Sequence, residues 1–384
     1  MDFSLTSDQI LIRDTVRQFM EAEMRPILRE YEAEKKFPAD QIRKLGEMGY
    51  CGMLVPEEWG GAGADTVSYA VMIEEVARVD ASTAVVLSVT NMVAASLFLK
   101  HGTEAQKKKY LSRLARGEII GAFCLTEPGA GSDAAGIQAR AVRDGGDYVI
   151  NGTKIWVTSG DVAGLLVVFA KTDPTAGARG VTAFLVEPSF PGFRVTRHED
   201  KMGLRLSHSV EIVFNDCRVP AENRIGEEGN GLRIAFEGLD GGRIGIAAQS
   251  VGLAQGALEA AARYAKERRT FGRPIAEYQA IQWMLADMET EIEAARALTY
   301  YAAWVRDSGG PRLGPHSARA KLFASEMANR VAYKAVQVHG SLGYSRESDV
   351  ERYYRDARVL TIYEGTSEMQ RIVIARDLLK SGRN

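Results

Sequence analysis

Apolar residues recur at helical spacing over residues 1–118, at strand spacing over 119–225, and at helical spacing again over 226–384. In the first stretch, Thr6-Ser7-Asp8-Gln9 is a capping box, and Ile10, Val16, Phe19 and Met20 give the helix behind it an apolar stripe. After a second short helix, the run Trp59-Gly60-Gly61-Ala62-Gly63-Ala64-Asp65 interrupts the period. Helices are expected over 67–78 and 82–100, the latter with so few charges that it should be buried on most sides. Thr103-Glu104-Ala105-Gln106 is a further capping box and starts another helix.

From Ile119 the period is that of strands. Ile119–Leu125 leads into a turn-rich loop, and 142–157 holds two strands' worth of residues, with Asp144-Gly145-Gly146 and Asn151-Gly152 as turns. Runs at 165–169, 181–186, 193–196 and 210–214 complete a set of short strands, which suggests a small barrel or sandwich. After Pro220, long amphipathic or Ala-rich segments at 231–268, 275–307, 317–337 and 366–380 point to a helical bundle. The architecture is therefore mostly α with a central β domain: helical over 1–118, β over 119–225, helical bundle over 226–384.

Composition narrows the classes. The 384 residues suit two or three domains, and 46% apolar with 26% charged residues is ordinary for a globular protein. A net charge of −2 gives no field that points to nucleic acid or an anionic membrane. Cys51, Cys124 and Cys217 lie far apart, which speaks for a reducing compartment and against a disulfide framework. His101, His198, His208, His316 and His339 show no paired-ligand spacing, so no metal site is expected. The N-terminus lacks signal-peptide character, and no apolar run is long enough for a membrane span.

The chemistry concentrates near the end, in Thr361-Ile362-Tyr363-Glu364-Gly365-Thr366-Ser367-Glu368-Met369-Gln370-Arg371. Gly365 frees the backbone, Thr366 is a good N-cap, and Met369, Ile372, Val373 and Leu378 continue as a helix. Glu364 then stands just outside a helix N-terminus, whose dipole is expected to keep the carboxylate ionised as a candidate general base. On these residues alone, a capping acid on a surface turn is the plainer reading. Four other stretches carry weaker signals. Phe123-Cys124-Leu125-Thr126-Glu127-Pro128-Gly129-Ala130-Gly131-Ser132-Asp133 is either an anion-binding loop or a decorated turn, and matches neither a dinucleotide fingerprint nor a P-loop. Trp156-Val157-Thr158-Ser159-Gly160 offers an indole and a hydroxyl to a flat ring, or packs as a core Trp. The arginines of 267–275 suit a phosphate, or decorate a charged loop. Asp240-Gly241-Gly242-Arg243 leaves space inside a helix, or kinks it.

In this order and on this architecture, these stretches resemble the acyl-CoA dehydrogenase family over nearly the whole chain. The matches are TEPGAGSD (126–133), WVTSG (156–160), MGLRLS (202–207), DGGRIGIA (240–247), ERRTFGRPI (267–275), QVHGSLGY (337–344), RDAR (355–358) and IYEGTSEMQR (362–371), closest in flavour to short-chain and bacterial members. The resemblance implies an N-terminal helical domain, a middle β-barrel, a C-terminal four-helix bundle, and a homotetramer built as a dimer of dimers. It implies FAD between barrel and bundle. Phe123, Cys124, Leu125, Thr126, Gly131 and Ser132 would line the flavin; Trp156, Val157 and Thr158 would contact its ring, with Thr158 near N5. Arg268, Thr270, Phe271, Gln279, Gln337, Gly340 and Ser341 would bind the pyrophosphate and adenosine part, largely from a neighbouring subunit, and Thr366 and Glu368 would complete that site. Ser132, Asp240, Arg243 and Gly365 would contact the CoA ester, and Glu364 matches the catalytic base. Glycine at Gly242 excludes the variant in which the base comes from that helix, and Phe123 stands where some members have Tyr. The implied reaction removes an α-proton to Glu364 and a β-hydride to flavin N5, giving the trans-2-enoyl-CoA, and passes electrons to an electron-transfer flavoprotein. An oxidase on the same fold, and a scaffold that has lost catalysis, are the rival readings. A bacterial member would be cytoplasmic, and a mitochondrial one would work in the matrix. The packing of residues 91–98 is expected to set pocket depth and with it the acyl chain length.

Overall fold

Thr6 opens the first helix as its sequence demands: its hydroxyl accepts from the Gln9 amide, and the Gln9 side chain reaches back to Thr6. This computed structural model describes residues 4–91, 96–309 and 312–380. The N-terminal helices are α1 (Ser7–Phe19), α2 (Leu28–Glu34), α3 (Ala39–Glu47), α4 (Thr66–Val79), α5 (Ala81–Ser88) and α6 (Ser96–His101), followed by α7 (Glu104–Gln106) and α8 (Ser112–Ala115). Val16 and Met20 are buried, but Ile10, expected on the same stripe, is exposed. The second capping box forms at Thr103 and Gln106. Residues 81–91 are buried throughout, as their lack of charge predicts; residues 92–95 of the same expected helix lie outside the described residues.

The strands are β1 (Gly121–Cys124), β2 (Arg140–Asp144), β3 (Asp147–Thr158), β4 (Leu165–Lys171), β5 (Val181–Val186), β6 (Phe193–His198), β7 (Ser209–Pro220) and β8 (Arg224–Ile225). They form one sheet in the order β6-β7-β3-β2-β4-β5-β8, with β1 paired in parallel to β4. No pairing joins β6 to β8, so the sheet is open and the expected closed barrel does not form. A second correction concerns Asn151-Gly152. It lies inside β3, at a bulge where the register against β7 shifts, and the hairpin turn is made at 145–146 alone. Both faces of the sheet are covered at β4, which is why that strand reads as an unbroken apolar run. Leu165, Val167 and Phe169 pack against Phe98, Leu111 and Leu232 from the helices, while Leu166, Val168 and Ala170 pack with Ile150, Phe184 and Phe214 on the other face.

Helices α9 (Gly231–Glu267), α10 (Gln279–Asp307), α11 (Leu313–His339), α12 (Asp349–Ala357) and α13 (Ser367–Lys380) follow. Two glycines let α9 approach α4: a Cβ at Gly252 would stand 2.0 Å from the Glu74 carbonyl oxygen, and one at Gly256 2.3 Å from that of Arg78. The expected apolar stripe of α13 stays on the outside of the single chain, with Leu378 and Leu379 exposed. Two of the matched stretches meet where sheet and bundle join: Asp356 Oδ1 accepts from the Leu204 amide at 2.6 Å, and Arg355 donates to the Met202 carbonyl at 3.0 Å. No helix among the described residues is long and apolar enough to cross a membrane.

Inside the sheet domain, a buried ion pair fixes the loop after β1. Lys154 is wholly buried on β3; its Nζ donates to Glu127 Oε1 at 2.7 Å and to the Leu125 carbonyl at 3.0 Å. Glu127 also accepts from the Gln138 and Ala139 amides, so both ends of the 125–139 loop hang on one carboxylate. Burial pulls the Lys154 ammonium below its usual range, and Glu127 opposes that pull. Lys154→Met strands the Glu127 charge in the interior and is expected to cost about 3–5 kcal/mol of stability. The double change with Glu127→Gln should cost clearly less in urea unfolding, and equal losses would mean the pair is not coupled.

Candidate functional site

Glu364 stands between the 3-10 turn Arg358–Thr361 and α13, at φ 51°, and Gly365 follows at φ 91°. A non-glycine residue in the left-handed region costs energy and persists where the surroundings hold it. Here the turn is held by its carbonyls. The Gly365 oxygen accepts from Lys321 Nζ and from Gln370 Nε2, both at 2.8 Å, and the Glu364 oxygen accepts from Gln370 at 3.3 Å. Thr366 caps α13 as expected, its hydroxyl accepting from the Met369 amide at 3.3 Å.

This backbone geometry turns the Glu364 side chain inward, away from the end of α13. The carboxylate lies over Gly242 of α9, where an added Cβ would stand 2.2 Å from Oε2. Oε2 is shielded from solvent and has no hydrogen-bond partner among the described residues. Two expectations are thereby corrected. Glu364 is not a capping acid on the surface, and the helix dipole does not set its ionisation. Burial pushes its carboxyl up to about 7, while the Lys321 and Arg243 charges pull the other way. The acid held below its usual range at this helix start is the exposed Glu368, through a backbone hydrogen bond and Thr366. Around Glu364, Arg243 pairs with Asp240 and leaves its Nε buried without a partner among the described residues. The Tyr363 hydroxyl donates to Gln249, and Tyr69 of α4 donates to Ser88 at 3.1 Å.

The other expected residues fall into two further groups. At the sheet, the Ile155 amide bonds the Thr126 carbonyl at 2.9 Å, which brings the loop after β1 beside 156–158. Trp156 sits at a bulge with φ 58° and is 55% exposed, so its indole points away from the core. Phe123 packs edge-on against Phe169, with Thr126 and Thr158 half-buried. Cys124, Leu125 and Val157 turn their side chains into the core, leaving only backbone to face a ligand. Gly131 and Ser132 are exposed, and a Cβ at Gly131 would meet nothing within 4 Å. At one end of the bundle, Arg268 precedes a two-stranded ribbon, Arg269–Thr270 with Arg273–Pro274. Its tip, Phe271-Gly272, has positive φ at both residues, and Phe271 is 93% exposed. Gln279 follows, exposed, at the start of α10. Tyr264 stacks on His339 at 4.4 Å, so the Arg268 segment shares this end with exposed Gln337, Gly340 and Ser341. Thr366 and Glu368 line a cleft of about 440 Å³ with Arg330 and Arg358.

Some functional candidates were not singled out from sequence. Lys321 and Gln249 are buried polar residues on long helices, with no local motif to mark them, and Gln370 lies inside the 362–371 stretch without a role of its own assigned there. Ser159, three positions after Trp156, keeps a buried hydroxyl without a partner among the described residues. The histidines do meet: His208 Nδ1 and His198 Nε2 lie 2.5 and 3.0 Å from Asp161 Oδ2. They come from different strand ends, so linear spacing hid them. Burial works against the Asp161 charge, yet the bonds from His208 and His198 hold its carboxyl below the usual range, and Asp161 in turn raises His208.

Family models match three parts of the chain: the acyl-CoA dehydrogenase N-terminal domain at residues 6–118, the middle domain at 122–217 and the C-terminal domain at 229–379. The chain belongs to the acyl-CoA dehydrogenase family, whose members are oxidoreductases. The short-chain specific acyl-CoA dehydrogenase of Clostridium acetobutylicum is 48% identical, over 99% of this chain and all of the relative. A chain of the solved structure describing the electron transferring flavoprotein of Acidaminococcus fermentans, in a study of flavin-based electron bifurcation, superimposes with TM-score 0.98 at 47% identity. It covers 99% of this chain and all of that one. The butyryl-CoA dehydrogenase of Megasphaera elsdenii superimposes at 0.97 with 44% identity and the same coverage.

The space over Gly242 is testable without any reaction. Gly242→Ala should force the Glu364 carboxylate to another rotamer in a crystal structure, at little cost in stability, because the atoms in the way are the end of a flexible side chain. An unmoved carboxylate in the variant would contradict the contact.

Proposed function

We propose that this chain oxidises a short acyl-CoA thioester between Cα and Cβ, with Glu364 taking the α-proton, to give the trans-2-enoyl-CoA. The observation that carries the reading is the Glu364 carboxylate lying over a glycine, with Oε2 shielded and without a partner among the described residues, raised to about 7 by burial against two opposing cations. A base with that value is half-ionised near neutral pH and accepts a proton without a large penalty, which suits a weakly acidic α-carbon. Relatives named for short-chain and butyryl substrates support the substrate class.

FAD fits the two groups of residues on this chain: an outward indole, a buried unpartnered hydroxyl and an open glycine loop at the sheet, and an arginine ribbon at the end of the bundle. When bound, FAD supplies the acceptor for the β-hydride. Trp156, with Thr126 and Thr158 nearby, would flank the ring; Arg268, Gln337 and Ser341 would face the pyrophosphate and adenosine part. Phe271, exposed on a ribbon tip, suits contact with another subunit in a homotetramer. Asp240, Arg243 and Gly365 would meet the thioester, and Thr366 and Glu368 the far side of the cofactor. An electron-transfer flavoprotein is the proposed acceptor, in the cytoplasm or the mitochondrial matrix. Domain limits at about residues 118 and 225 follow the change from helix to sheet and back.

Purified protein should be yellow, and butyryl-CoA should bleach it without oxygen; titration with straight and branched esters then ranks the acyl chains. Glu364→Gln should keep FAD and slow single-turnover bleaching by about 10²–10⁴-fold. Glu364→Gly with Gly242→Glu should recover part of the rate, because the two side chains reach for the same space. A wild-type rate in Glu364→Gln would remove the base assignment. Arg268→Ala should lose flavin and dissociate together on dilution in gel filtration, since a ligand that binds the assembled form stabilises it. Full flavin content in the dilute variant would refute a shared site.

A further inference from the structure

Lys321 is wholly buried on α11, and its one hydrogen bond among the described residues goes to the Gly365 carbonyl at 2.8 Å. A neutral amide would satisfy that oxygen without burying a charge, and Gln370 already donates to it at the same distance. The ammonium is therefore superfluous as a hydrogen-bond donor and costly as a buried ion. Its strongest anionic neighbour is Glu364, with Glu368 and Glu326 acting more weakly.

We propose that Lys321 is a positioning residue for the Glu364 base: it ties down the Glu364–Gly365 turn and, with Arg243, supplies the positive field that keeps the buried carboxylate ionised. The proposal rests on the reading of Glu364 as the base. The other groups facing this carboxylate cannot replace Lys321. Arg243 of α9 already pairs with Asp240. Tyr69 of α4 and Tyr363 on the turn are held neutral by burial, and their hydroxyls are committed to Ser88 and Gln249. Arg306 of α10 acts on Tyr69. Burial lowers Lys321 to about 8, with Glu364 opposing, while Glu364 is raised to about 7, so near neutral pH both charged forms are available together.

The sign follows. Removing the cation leaves burial less opposed, so the Glu364 carboxyl rises further and the base is protonated at neutral pH. The experiment is the pH profile of kcat/KM with butyryl-CoA for flavin-loaded wild type, Lys321→Met, Lys321→Gln and Lys321→Arg, with Glu364→Gln alongside. Both neutral variants should move the acid limb up by about one pH unit or more, with the rate recovering toward alkaline pH. Lys321→Arg should return the limb toward wild type. Should Lys321→Met fail to fold, Lys321→Gln, which retains a donor, gives the same readout. A neutral variant that is slower by one factor at every pH, with an unmoved limb, overturns the proposal and leaves Lys321 a structural residue. If Glu364→Gln keeps the wild-type rate, it is the base assignment that fails. If it is slow while the limb stays fixed in the lysine variants, Lys321 alone is dismissed.

Discussion

Helix α9 can lie against α4 only because backbone meets backbone there. At Gly252 and Gly256 the α4 carbonyls occupy the space a side chain would need. The rest of the bundle inherits this closeness. Ala247, Ala254, Ala257 and Ala261 continue the narrow surface of α9 into the bundle core with Ala324, Ala328 and Ala335 of α11. Small side chains bring the helix axes together, and dispersion across many short contacts replaces the interlocking of large residues.

The same helix makes the site possible. Gly242 stands on the α9 sequence that packs the bundle, and the gap it leaves is filled by the Glu364 carboxylate. The carboxylate reaches that gap because two successive left-handed residues reverse the chain before α13. Lys321 and Gln370 hold the reversal through one carbonyl. Backbone strain, a missing Cβ and a buried cation thus converge on one carboxylate. Its ionisation is a balance of large opposing effects: burial raises it, and two cations lower it.

The sheet domain solves a different problem, that of fixing a glycine-rich loop. The ion pair of Lys154 and Glu127 does so from beneath, with the carboxylate binding backbone amides at the far end of the loop. The bulge at Trp156 then directs the indole outward from a strand whose neighbours Lys154 and Val157 point into the core. Rigid support below and an exposed aromatic above are what a flat ligand requires.

Much of this was legible in the chain itself. Capping boxes at Thr6 and Thr103, the strand at Val181–Val186 and helix α9 to within a residue follow from local rules, because caps and periodicity involve neighbours a few positions apart. The ordered motifs marked Glu364 and the two further groups of candidate residues for the same reason: each is a contiguous stretch. What tertiary structure alone decided involves partners distant in sequence. The sheet stays open because β6 and β8 find no common edge, which no strand's own pattern encodes. Asn151-Gly152 became a bulge because β7 continues alongside it. Glu364 was expected to be ionised by a nearby helix end, yet burial raises its carboxyl, and the charges that oppose burial, Lys321 and Arg243, lie 43 and 121 positions away in the sequence. Local sequence states which conformations a segment prefers; dielectric surroundings and charge partners exist only once distant segments have packed.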